Sequence, residues 1–393
     1  MGVAFDAALA AALAAWDEQG LRRRAAVGEA VDAVHLEVNG RAYVNFSSND
    51  YLGLALHPQV CRAAHAAIDR YGVGAGASRL VTGSRPSHRE LEERLSAWKR
   101  TSRAVTFSSG YAAALGTIPA LVGPADVVII DKLSHACLID AARLSGARLR
   151  TFPHNRLDRL ETLLQWAARQ VPKPRALIVT EAVFSMDGDQ ADLPALVELK
   201  DRYGAALLVD EAHAAGLFGP EGAGLVSLHG LEGQVEVQMG TLSKALGVSG
   251  GYIAGSENLV DHLIQRARAY VFSTAPPPAI AAAAQAAIEI AVSAEGAQRR
   301  NQLWANASQL ARALNQDASA PPASAIFPVV VGGEQLALAA SERLREAGMW
   351  VPAIRYPTVA RGTARLRITL SSVHAPDEVA ALAEALRAGQ VKG

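Results

Sequence analysis

The most informative stretch of the sequence surrounds Lys244, the only charged residue in the run "MGTLSKALGVSGGYIAG" at positions 239–255. Glycines, hydroxyl residues and small apolar residues surround this lysine, and the run contains no acidic residue to pair with it. A buried lysine is costly unless its pKa falls or its amine forms a covalent bond. The pattern therefore has two interpretations: a lysine whose tip reaches solvent, or a reactive amine inside a site.

Other reactive side chains follow short apolar runs that are typical of β-strands. The run "RAVTF" leads through residues 108–112 into a helix, whose first N–H groups suit an anion such as phosphate. Ligands of open α/β sheets bind beyond the carboxyl ends of the strands, so side chains at these ends are expected to share one site. The ends of the later runs carry, in chain order, His135, Ser185, Asp210 with His213, and Thr241 with Lys244.

This order of groups fits the chemistry of pyridoxal 5'-phosphate. That cofactor needs a lysine amine for a Schiff base, an aspartate opposite its pyridine nitrogen and donors for its phosphate. Lys244 and Asp210 supply the first two. A protonated ring nitrogen makes the ring an electron sink for a carbanion, with the lysine as base. Each group alone also has an ordinary explanation as a helix cap, a turn residue or a core histidine, and only the combination predicts the cofactor.

Three motifs point to other enzyme classes. "GVGAGA" at positions 72–77 matches a loose dinucleotide-binding pattern but follows a helical stretch instead of a strand. "VDEAH" at 209–213 resembles a helicase motif, yet the sequence contains no G-x-x-x-x-G-K-[ST] loop. "GVSGG" at 247–251 fits the nucleophile elbow of serine hydrolases, which stays as a distant alternative, although a lysine-bearing turn precedes it and a strand follows.

The elements that must position these residues alternate between helices and strands from about residue 90. Short apolar runs separated by helical segments imply βαβ crossovers and a mostly parallel sheet with helices on both faces. The runs are "RAVTF", "DVVIID", "RLRTF", "RALIVTE", "AALLVDE", "VEVQMG" and "GGYIAG".

Outside this alternating region the sequence predicts other elements and sets the domain bounds. "HLEVNGRAYVNF" alternates around Asn39-Gly40 and predicts a β-hairpin over residues 35–46. Farther along, "SHRELEERLSAW" predicts a helix that begins with a capping box of Ser87 and Glu90. We expect an amino-terminal helix and hairpin at 1–46, a large cofactor-binding domain at 47–290 and a small α+β domain at 291–393.

Composition limits the classes of partner. The chain has 393 residues, half of them hydrophobic, and a formal net charge of zero, which gives no electrostatic reason to expect nucleic acid or a membrane surface. Cys61 and Cys137 are the only cysteines, too few for a disulfide framework or a thiolate metal site. The amino-terminal apolar stretch lacks a preceding positive segment, and prolines interrupt the uncharged runs 104–125 and 269–288. We expect a cytoplasmic enzyme without a metal.

Seven segments together resemble one enzyme family, the α-oxoamine synthases, which use pyridoxal phosphate on the aspartate-aminotransferase fold. They are "FSSNDYLGL", "SRLVTGSRPSHRELEERLSAW", "FSSGYAA", "DKLSHACLIDA", "TEAVFSMDGD", "LVDEAHAAG" and "GTLSKALGVSGGY". The resemblance covers nearly the whole chain and is specific in combination. It implies an α/β protein of PLP fold type I: a large domain with a mostly parallel seven-stranded sheet, plus a smaller α+β carboxyl-terminal domain.

The resemblance also implies roles for individual residues. His135 is expected to stack on the cofactor ring and act on the substrate carboxylate, and Ser185 and His213 to bind near the phenolic oxygen. Backbone groups of Gly110 and Tyr111, and the Thr241 side chain, are expected to contact the phosphate. Family members place the active site at a homodimer interface, which implies that Ser273 and Thr274 reach the phosphate of the partner subunit.

Within the family, "LRRR" and "VPAIRYPTVARGTARLRITLSSVHA" are most similar to the branch that condenses L-alanine with a pimeloyl thioester. The acyl carrier would be coenzyme A or acyl carrier protein, and CO2 and the free thiol would be released. Arg367 is expected to bind the amino-acid carboxylate with help from Asn49, although Arg365 lies two residues away on the same strand face. Arg22 and Thr358 are expected to contact the acyl substrate.

The alternative within the family is 2-amino-3-ketobutyrate ligase activity, which uses glycine and acetyl-CoA. Alanine and glycine differ by one methyl group, a difference worth roughly 1 to 3 kcal/mol in a pocket. Pocket shape decides between them, and the sequence does not give that shape.

Overall fold

The computed structural model of the chain describes residues 2–314 and 321–388. Residues 315–320 and 389–393, which belong to the small carboxyl-terminal domain predicted from the sequence, lie outside the described part. Within it, the strands are β1 (Glu29–Ala30), β2 (His35–Val38), β3 (Arg41–Asn45), β4 (Arg103–Phe107), β5 (Val127–Asp131), β6 (Arg148–Phe152), β7 (Ala176–Glu181), β8 (Ala206–Asp210), β9 (Val237–Thr241), β10 (Gly251–Gly255), β11 (Ile326–Gly332), β12 (Met349–Trp350), β13 (Ala353–Ile354) and β14 (Ala364–Thr369).

Helices connect most of these strands, together with a π-helical turn at Arg79–Gly83 and a 3-10 turn at Pro220–Gly222. The α-helices are α1 (Gly2–Glu18), α2 (Pro58–Tyr71), α3 (Pro86–Trp98), α4 (Gly110–Leu121), α5 (Ala136–Leu144), α6 (Leu157–Ala168), α7 (Leu193–Tyr203), α8 (Leu225–Leu228), α9 (Glu257–Arg266), α10 (Arg268–Val271), α11 (Pro278–Val292), α12 (Ala294–Ala313), α13 (Glu334–Glu346) and α14 (Pro376–Ala388).

The chain divides into two compact units. The larger unit comprises Asn49–Ser185 and Asp189–Gln302, and the smaller one comprises the residues up to Ser48, Met186–Gly188 and the residues from Leu303 onward. The amino-terminal segment that the sequence sets apart as 1–46 therefore lies in the same unit as the carboxyl-terminal segment. Parallel pairing of β3 with β12 joins the two segments into one sheet.

The larger unit is built on the seven-stranded sheet that the sequence predicts. Its strand order is β4-β10-β9-β8-β7-β5-β6, and β10 is antiparallel to both of its neighbours. Each of the seven predicted apolar runs forms one of these strands, which confirms the mostly parallel α/β fold. All residues of β5 are buried, as expected for a central strand covered by helices on both faces.

One face of this sheet carries an apolar core of the larger unit. Helices α4, α5 and α9 supply Ile118, Leu138 and Leu263, which pack with Val179 and Ile253 of the sheet, all fully buried. Complete burial of one such side chain stabilises the fold by roughly 1.5 to 3 kcal/mol. The starts of α4 and α5 follow β4 and β5 directly at the edge of the sheet that carries the candidate site, and this packing holds both helices in place.

The described strands of the smaller unit form two sheets. The first has the order β1-β2-β3-β12 and the second β11-β14-β13, with α13 packed against strands of both. The predicted hairpin is confirmed as β2 and β3, and its turn residues Asn39 and Gly40 have φ angles of 52° and 74°. Both angles lie in the left-handed region, which explains why an Asn-Gly pair occupies this turn.

The start of α3 differs from the prediction. The helix begins at Pro86 instead of after Ser87, so the capping box of Ser87 and Glu90 is wrong. Proline suits the first helical position because its φ angle is already fixed there. The side chain of His88 replaces the predicted cap, since its Nδ1 accepts a hydrogen bond from the Arg85 N–H at 3.0 Å.

Helix α11 is the alanine-rich segment that follows the prolines, and it packs against α2 and α3 within the larger unit. Across residues 2–314 and 321–388, no single helix combines the length and the apolar character of a membrane span. Helices α11 and α12 meet that test only when they are taken together, and the chain bends by 73° between them.

A buried ion pair anchors the end of β8. Lys99 donates hydrogen bonds to Glu211 and to the carbonyl of Ala223, and both charged side chains are fully buried. The second oxygen of Glu211 accepts the Val226 N–H at 3.0 Å. Glu211 directly follows Asp210, so the pair fixes the backbone at the strand end that carries the predicted aspartate.

Removal of one member of this pair is expected to destabilise the protein strongly. Lys99→Met leaves Glu211 buried without its counter-ion and should lower the free energy of unfolding by about 3 to 5 kcal/mol. The double variant Lys99→Met/Glu211→Gln should recover more than half of that loss, because the amide is neutral and still accepts the Val226 N–H. Urea unfolding followed by tryptophan fluorescence measures both.

Arg89→Met serves as the control, since Arg89 lies on the exposed face of α3 and forms an ion pair with Glu93. Its effect should stay within about 0.5 kcal/mol. A loss below about 1 kcal/mol for Lys99→Met would contradict the role given to the buried pair.

Candidate active site

A cavity of about 220 Å³ lies at the carboxyl ends of the central strands of the larger unit. The start of α4, the start of α5 and the ends of β7, β8 and β9 form its wall. Its polar lining includes Ser109, His135, Glu181, Asp210, Thr241 and Lys244, and Gly110 and Tyr111 also line it. The structure thus brings together six of the residues predicted from the sequence: Gly110, Tyr111, His135, Asp210, Thr241 and Lys244.

One end of the cavity is suited to an anion. The first N–H groups of the twelve-residue helix α4 point here, and Ser109 caps the helix by accepting the Ala112 N–H at 3.0 Å. A Cβ atom at Gly251 would lie 2.5 Å from the Gly110 nitrogen, so β10 can approach the helix start only because it carries glycine there. The Thr241 hydroxyl lies beside this helix end, 2.7 Å from the Ser243 hydroxyl.

Lys244 begins a chain of hydrogen bonds inside the larger unit. Its Nζ lies 2.8 Å from Nε2 of His213, and Nδ1 of His213 lies 2.7 Å from the Tyr51 hydroxyl. That hydroxyl donates to Oδ1 of Asn49 at 3.3 Å. If the Lys244 amine donates to Nε2, the neutral imidazole carries its proton on Nδ1 and donates it to the Tyr51 hydroxyl, which in turn donates to Asn49. Each donor in the chain then has one acceptor. The amine is therefore held at a fixed position in the cavity.

Two carboxyl groups lie side by side opposite the lysine. Asp210 ends β8 and pairs in register with Glu181 at the end of β7. Asp210 accepts the Ala212 N–H at 2.9 Å. Burial raises the pKa of Asp210, and the positive charge of Lys244 opposes that shift. A buried carboxylate in this position suits a protonated heterocyclic nitrogen.

His135 caps α5 and forms one wall of the cavity. Its Nδ1 accepts the Cys137 N–H at 3.2 Å, which orients the ring. Desolvation lowers the pKa of His135 although the Asp210 carboxylate acts in the opposite direction, so the imidazole is neutral at pH 7. A neutral flat ring suits stacking on an aromatic cofactor.

The donor set fits pyridoxal phosphate. An amine, a carboxylate, a flat ring and a helix start with hydroxyl groups are the groups that this cofactor needs, and they line one cavity. Sequence reasoning missed Tyr51 and Glu181. Both lie in segments that it quoted, "FSSNDYLGL" and "TEAVFSMDGD", and the position of Glu181 at the end of an apolar run was the signal that could have identified it.

The other predicted residues of the larger unit lie around the cavity wall. Ser185 donates its backbone N–H to Glu181 at 3.2 Å, and His213 contacts Lys244 as described. Ser273 and Thr274 are exposed and are not among the residues that line the cavity. Ser249 of "GVSGG" is exposed in the turn before β10, so the strand-to-helix geometry of a hydrolase elbow is absent at this serine.

The smaller unit contains the remaining predicted residues. Arg367 is buried on β14, and Arg365 of the same strand forms an ion pair with Asp187 at 2.7 Å, which argues against Arg365 as the substrate residue. Arg22 pairs with Asp17 at 2.6 Å. The Thr358 hydroxyl accepts a hydrogen bond from Arg23 at 2.9 Å. Thr358 therefore contacts the residue that follows Arg22.

Comparison with known proteins identifies the family. Residues 41–386 match the aminotransferase class I and II family. The 8-amino-7-oxononanoate synthase of Anaeromyxobacter dehalogenans is 49% identical over 97% of this chain and 94% of its own length. The corresponding enzyme of Herminiimonas arsenicoxydans is 45% identical over 96% and 98%. The chain belongs to the 8-amino-7-oxononanoate synthase family.

Solved structures agree with this family assignment. A serine palmitoyltransferase from S. paucimobilis with a bound PLP–myriocin aldimine has a TM-score of 0.90 and 31% identity, and the match covers 98% of both chains. An 8-amino-7-oxononanoate synthase from Francisella tularensis has a TM-score of 0.74 and 27% identity over 88% of this chain and 96% of its own. The fold is PLP fold type I, and pyridoxal phosphate is the cofactor of this 8-amino-7-oxononanoate synthase family member.

A histidine clamp holds the segment that follows β7. His154 Nδ1 lies 3.1 Å from Asp131, its Nε2 lies 2.8 Å from Asp189, and its ring packs edge-on against Phe184. Burial lowers the pKa of His154, but the hydrogen bonds to Asp131 and Asp189 outweigh burial and raise the pKa to about 10. The imidazole is therefore charged at pH 7 and joins the loops after β5, β6 and β7.

This clamp predicts a pH dependence of stability. The folded-state pKa of about 10 lies above the ordinary value of 6.5, so the stabilisation is complete below pH 6.5, declines between 6.5 and 10, and is lost above that range. The difference in Tm between the wild type and His154→Gln should be largest near pH 6 and shrink steadily towards pH 10. His65→Gln, on the exposed side of α2, provides the baseline. A difference that does not change with pH would show that His154 is not charged in the folded protein.

Proposed function

We propose that the protein condenses L-alanine with a pimeloyl thioester to form 8-amino-7-oxononanoate, CO2 and the free thiol. The observation that carries this proposal is the cavity that joins Lys244, Asp210 and the start of α4 in a chain up to 49% identical to named 8-amino-7-oxononanoate synthases. The identity to the serine palmitoyltransferases is lower, at 31%. The acyl carrier is coenzyme A or acyl carrier protein, and the free thiols of Cys61 and Cys137 support a cytoplasmic enzyme.

The lysine and its hydrogen-bond chain handle the proton. When bound, pyridoxal phosphate supplies an electron sink for negative charge at Cα of the amino acid. Lys244 is the base that takes the Cα proton of alanine and later returns a proton to the product carbon. His213 lies 2.8 Å from its Nζ and keeps the amine in place. Tyr51 and Asn49 extend the chain and fix the tautomer of that histidine.

The remaining residues of the larger unit orient the cofactor. Asp210 would keep the pyridine nitrogen protonated when the cofactor is bound, because its buried carboxylate is favoured by a positive partner. The Gly110 and Tyr111 N–H groups, together with the Thr241 hydroxyl, would bind the phosphate. The neutral ring of His135 would stack on the cofactor, and Ser185 and His213 would bind near its phenolic oxygen.

The smaller unit contributes substrate residues in this proposal. Arg367 binds the alanine carboxylate with Asn49, because a guanidinium group binds carboxylates through two parallel hydrogen bonds. Arg22 and Thr358 contact the acyl substrate.

The activity test is thiol release measured with combinations of substrates. L-alanine with pimeloyl-CoA should release thiol and CO2 at equal rates, and glycine with acetyl-CoA should be at least tenfold slower, a difference of about 1.4 kcal/mol in the transition state. Lys244→Ala should be inactive, and Lys132→Ala, an exposed lysine, should keep full activity. Faster turnover of glycine with acetyl-CoA would assign the chain to the ligase alternative.

We also propose that the enzyme is a homodimer with shared active sites. An apolar patch on the larger unit exposes Val73, Leu80, Val81 and Phe272, with exposed fractions of 78%, 50%, 74% and 70%. Large exposed apolar side chains that cluster are typical of protein interfaces. A backbone hydrogen bond of 2.9 Å joins Ala275 to Ala77, so the two segments that carry the patch lie together. Ser273 and Thr274 follow Phe272 and would reach the phosphate of the partner subunit.

The double variant Val81→Asp/Phe272→Asp should shift the protein towards monomer, because two carboxylates would be buried at the interface. Light scattering after size exclusion measures the mass, and the wild type should elute with twice the chain mass of 41.2 kDa. Ile68→Asp replaces an exposed residue of α2 and serves as the control. A wild type that is monomeric at micromolar concentration would exclude the shared sites.

A further inference from the structure

A second carboxyl group lies in the cavity beside Asp210 and has no role in the functions proposed above. Glu181 ends β7, and its Cα pairs with that of Asp210 across the parallel ladder. Residues paired in this way point to the same face of a sheet, and both of them line the cavity. Glu181 is only 2% exposed, so its carboxyl group interacts with other protein groups or with a ligand in the cavity, and hardly with solvent.

Glu181 binds the backbone of two residues that are expected to touch the cofactor. Its Oε2 accepts the Ser185 N–H at 3.2 Å, and the His135 N–H also forms a hydrogen bond to the carboxyl group. Ser185 follows β7 and His135 follows β5, so one carboxyl group fixes two neighbouring strand ends. Within residues 2–314 and 321–388, the other oxygen, Oε1, is buried and has no hydrogen-bond partner. A buried polar atom in this situation is costly unless a proton or a ligand satisfies it.

The charges around Glu181 show which carboxyl group carries a proton. The titratable groups that face it come from three other elements: Asp210 on β8, Cys137 on α5 and Lys244 in the turn after β9. Burial raises the pKa of Glu181, and the negative charge of Asp210 raises it further, to about 8, against the opposing effect of Lys244. Lys244 favours Asp210 as the anion. Two adjacent buried carboxylates repel each other, so the proton of the pair lies on Glu181.

We propose that Glu181 is a positioning residue that works in its protonated form, holding the backbone of His135 and Ser185 while leaving Asp210 as the single anion of the carboxyl pair. A cofactor nitrogen needs one carboxylate opposite it. A second anion beside that carboxylate would change how protons are shared between the ring nitrogen and Lys244. The proposal rests on the cofactor site of the proposed function, and it does not depend on which amino acid or acyl group is used.

The first test measures thermal stability against pH for the full chain, with and without saturating pyridoxal phosphate. The folded-state pKa of about 8 lies above the ordinary value of 4.5, so the stabilisation from protonated Glu181 is complete below pH 4.5 and is lost as pH rises through 8. Glu181→Gln stays neutral, so the Tm of the wild type relative to this variant should fall between pH 5 and pH 8.5. Glu198→Gln makes the same charge change on the exposed face of α7 and should give no such fall.

The second test measures the Kd of pyridoxal phosphate at pH 7 by absorbance titration. Glu181→Gln should bind within about threefold of the wild type, because the amide oxygen still accepts both backbone N–H groups. Glu181→Ala removes that acceptor and should weaken binding by about tenfold or more. Neither readout uses amino-acid or acyl substrates, so failure of the proposed activity would leave both results interpretable.

Two outcomes would overturn the proposal. If Glu181→Gln weakens cofactor binding by tenfold or more at pH 7, the group must be ionised in the working protein. If the Tm difference between the wild type and Glu181→Gln does not fall as pH rises, the proton is not on Glu181. Both decisive results come from the isosteric Glu181→Gln variant, so the test stands even where Glu181→Ala fails to fold.

Discussion

The attraction between a buried carboxylate and the positive charge placed opposite it is the constraint on which this structure depends. Asp210 is placed by the end of β8, and Lys244 by the turn after β9, so two neighbouring strands determine the separation of the two charges. Neither group could stay ionised in an apolar interior alone. The sheet, the helices on its faces and the buried pair of Lys99 with Glu211 keep these strand ends in place. A cofactor that bonds to the amine and presents a protonated nitrogen to the carboxylate fits both requirements.

Much of the larger unit could be predicted from the sequence, because most of its strands are buried and therefore appear as short apolar runs, whereas β6 at the sheet edge is partly exposed. The residues at the ends of those runs were predictable for the same reason, since parallel strands end at a common edge. The beginning of α3 was not predictable from a capping pattern. His88 provides the cap there through its side chain, and histidine is not among the usual capping residues.

The roles of Tyr51 and Glu181 could not be predicted, because a sequence pattern does not show long-range partners or strand order. Tyr51 reaches His213 across 162 positions of sequence, and nothing near Tyr51 in the chain indicates that partner. Glu181 was visible as the last residue of a strand, but its importance comes from its register with Asp210, which depends on strand order. The amino-terminal segment gives a third example. Its hairpin was predictable from Asn39-Gly40, whereas its pairing with β12 in the smaller unit joins residues some three hundred positions apart.

The reversed direction of β10 has a consequence for how this fold can vary. Because β10 runs antiparallel to β9, the chain returns into the sheet directly through residues 242–250, and Thr241 pairs with Gly251. A parallel strand in this place would need a crossover of a dozen residues or more. The reactive lysine thus lies in a turn that hydrogen bonds close internally, from the Val248 N–H to the Leu242 carbonyl at 2.9 Å and from the Gly247 N–H to the Lys244 carbonyl at 2.8 Å. A Cβ atom at Gly247 would clash with the Ala55 nitrogen, so this turn is also packed against the segment around Ala55. Insertions that diversify specificity would break these contacts here, whereas connections after the other strands can accept them more easily.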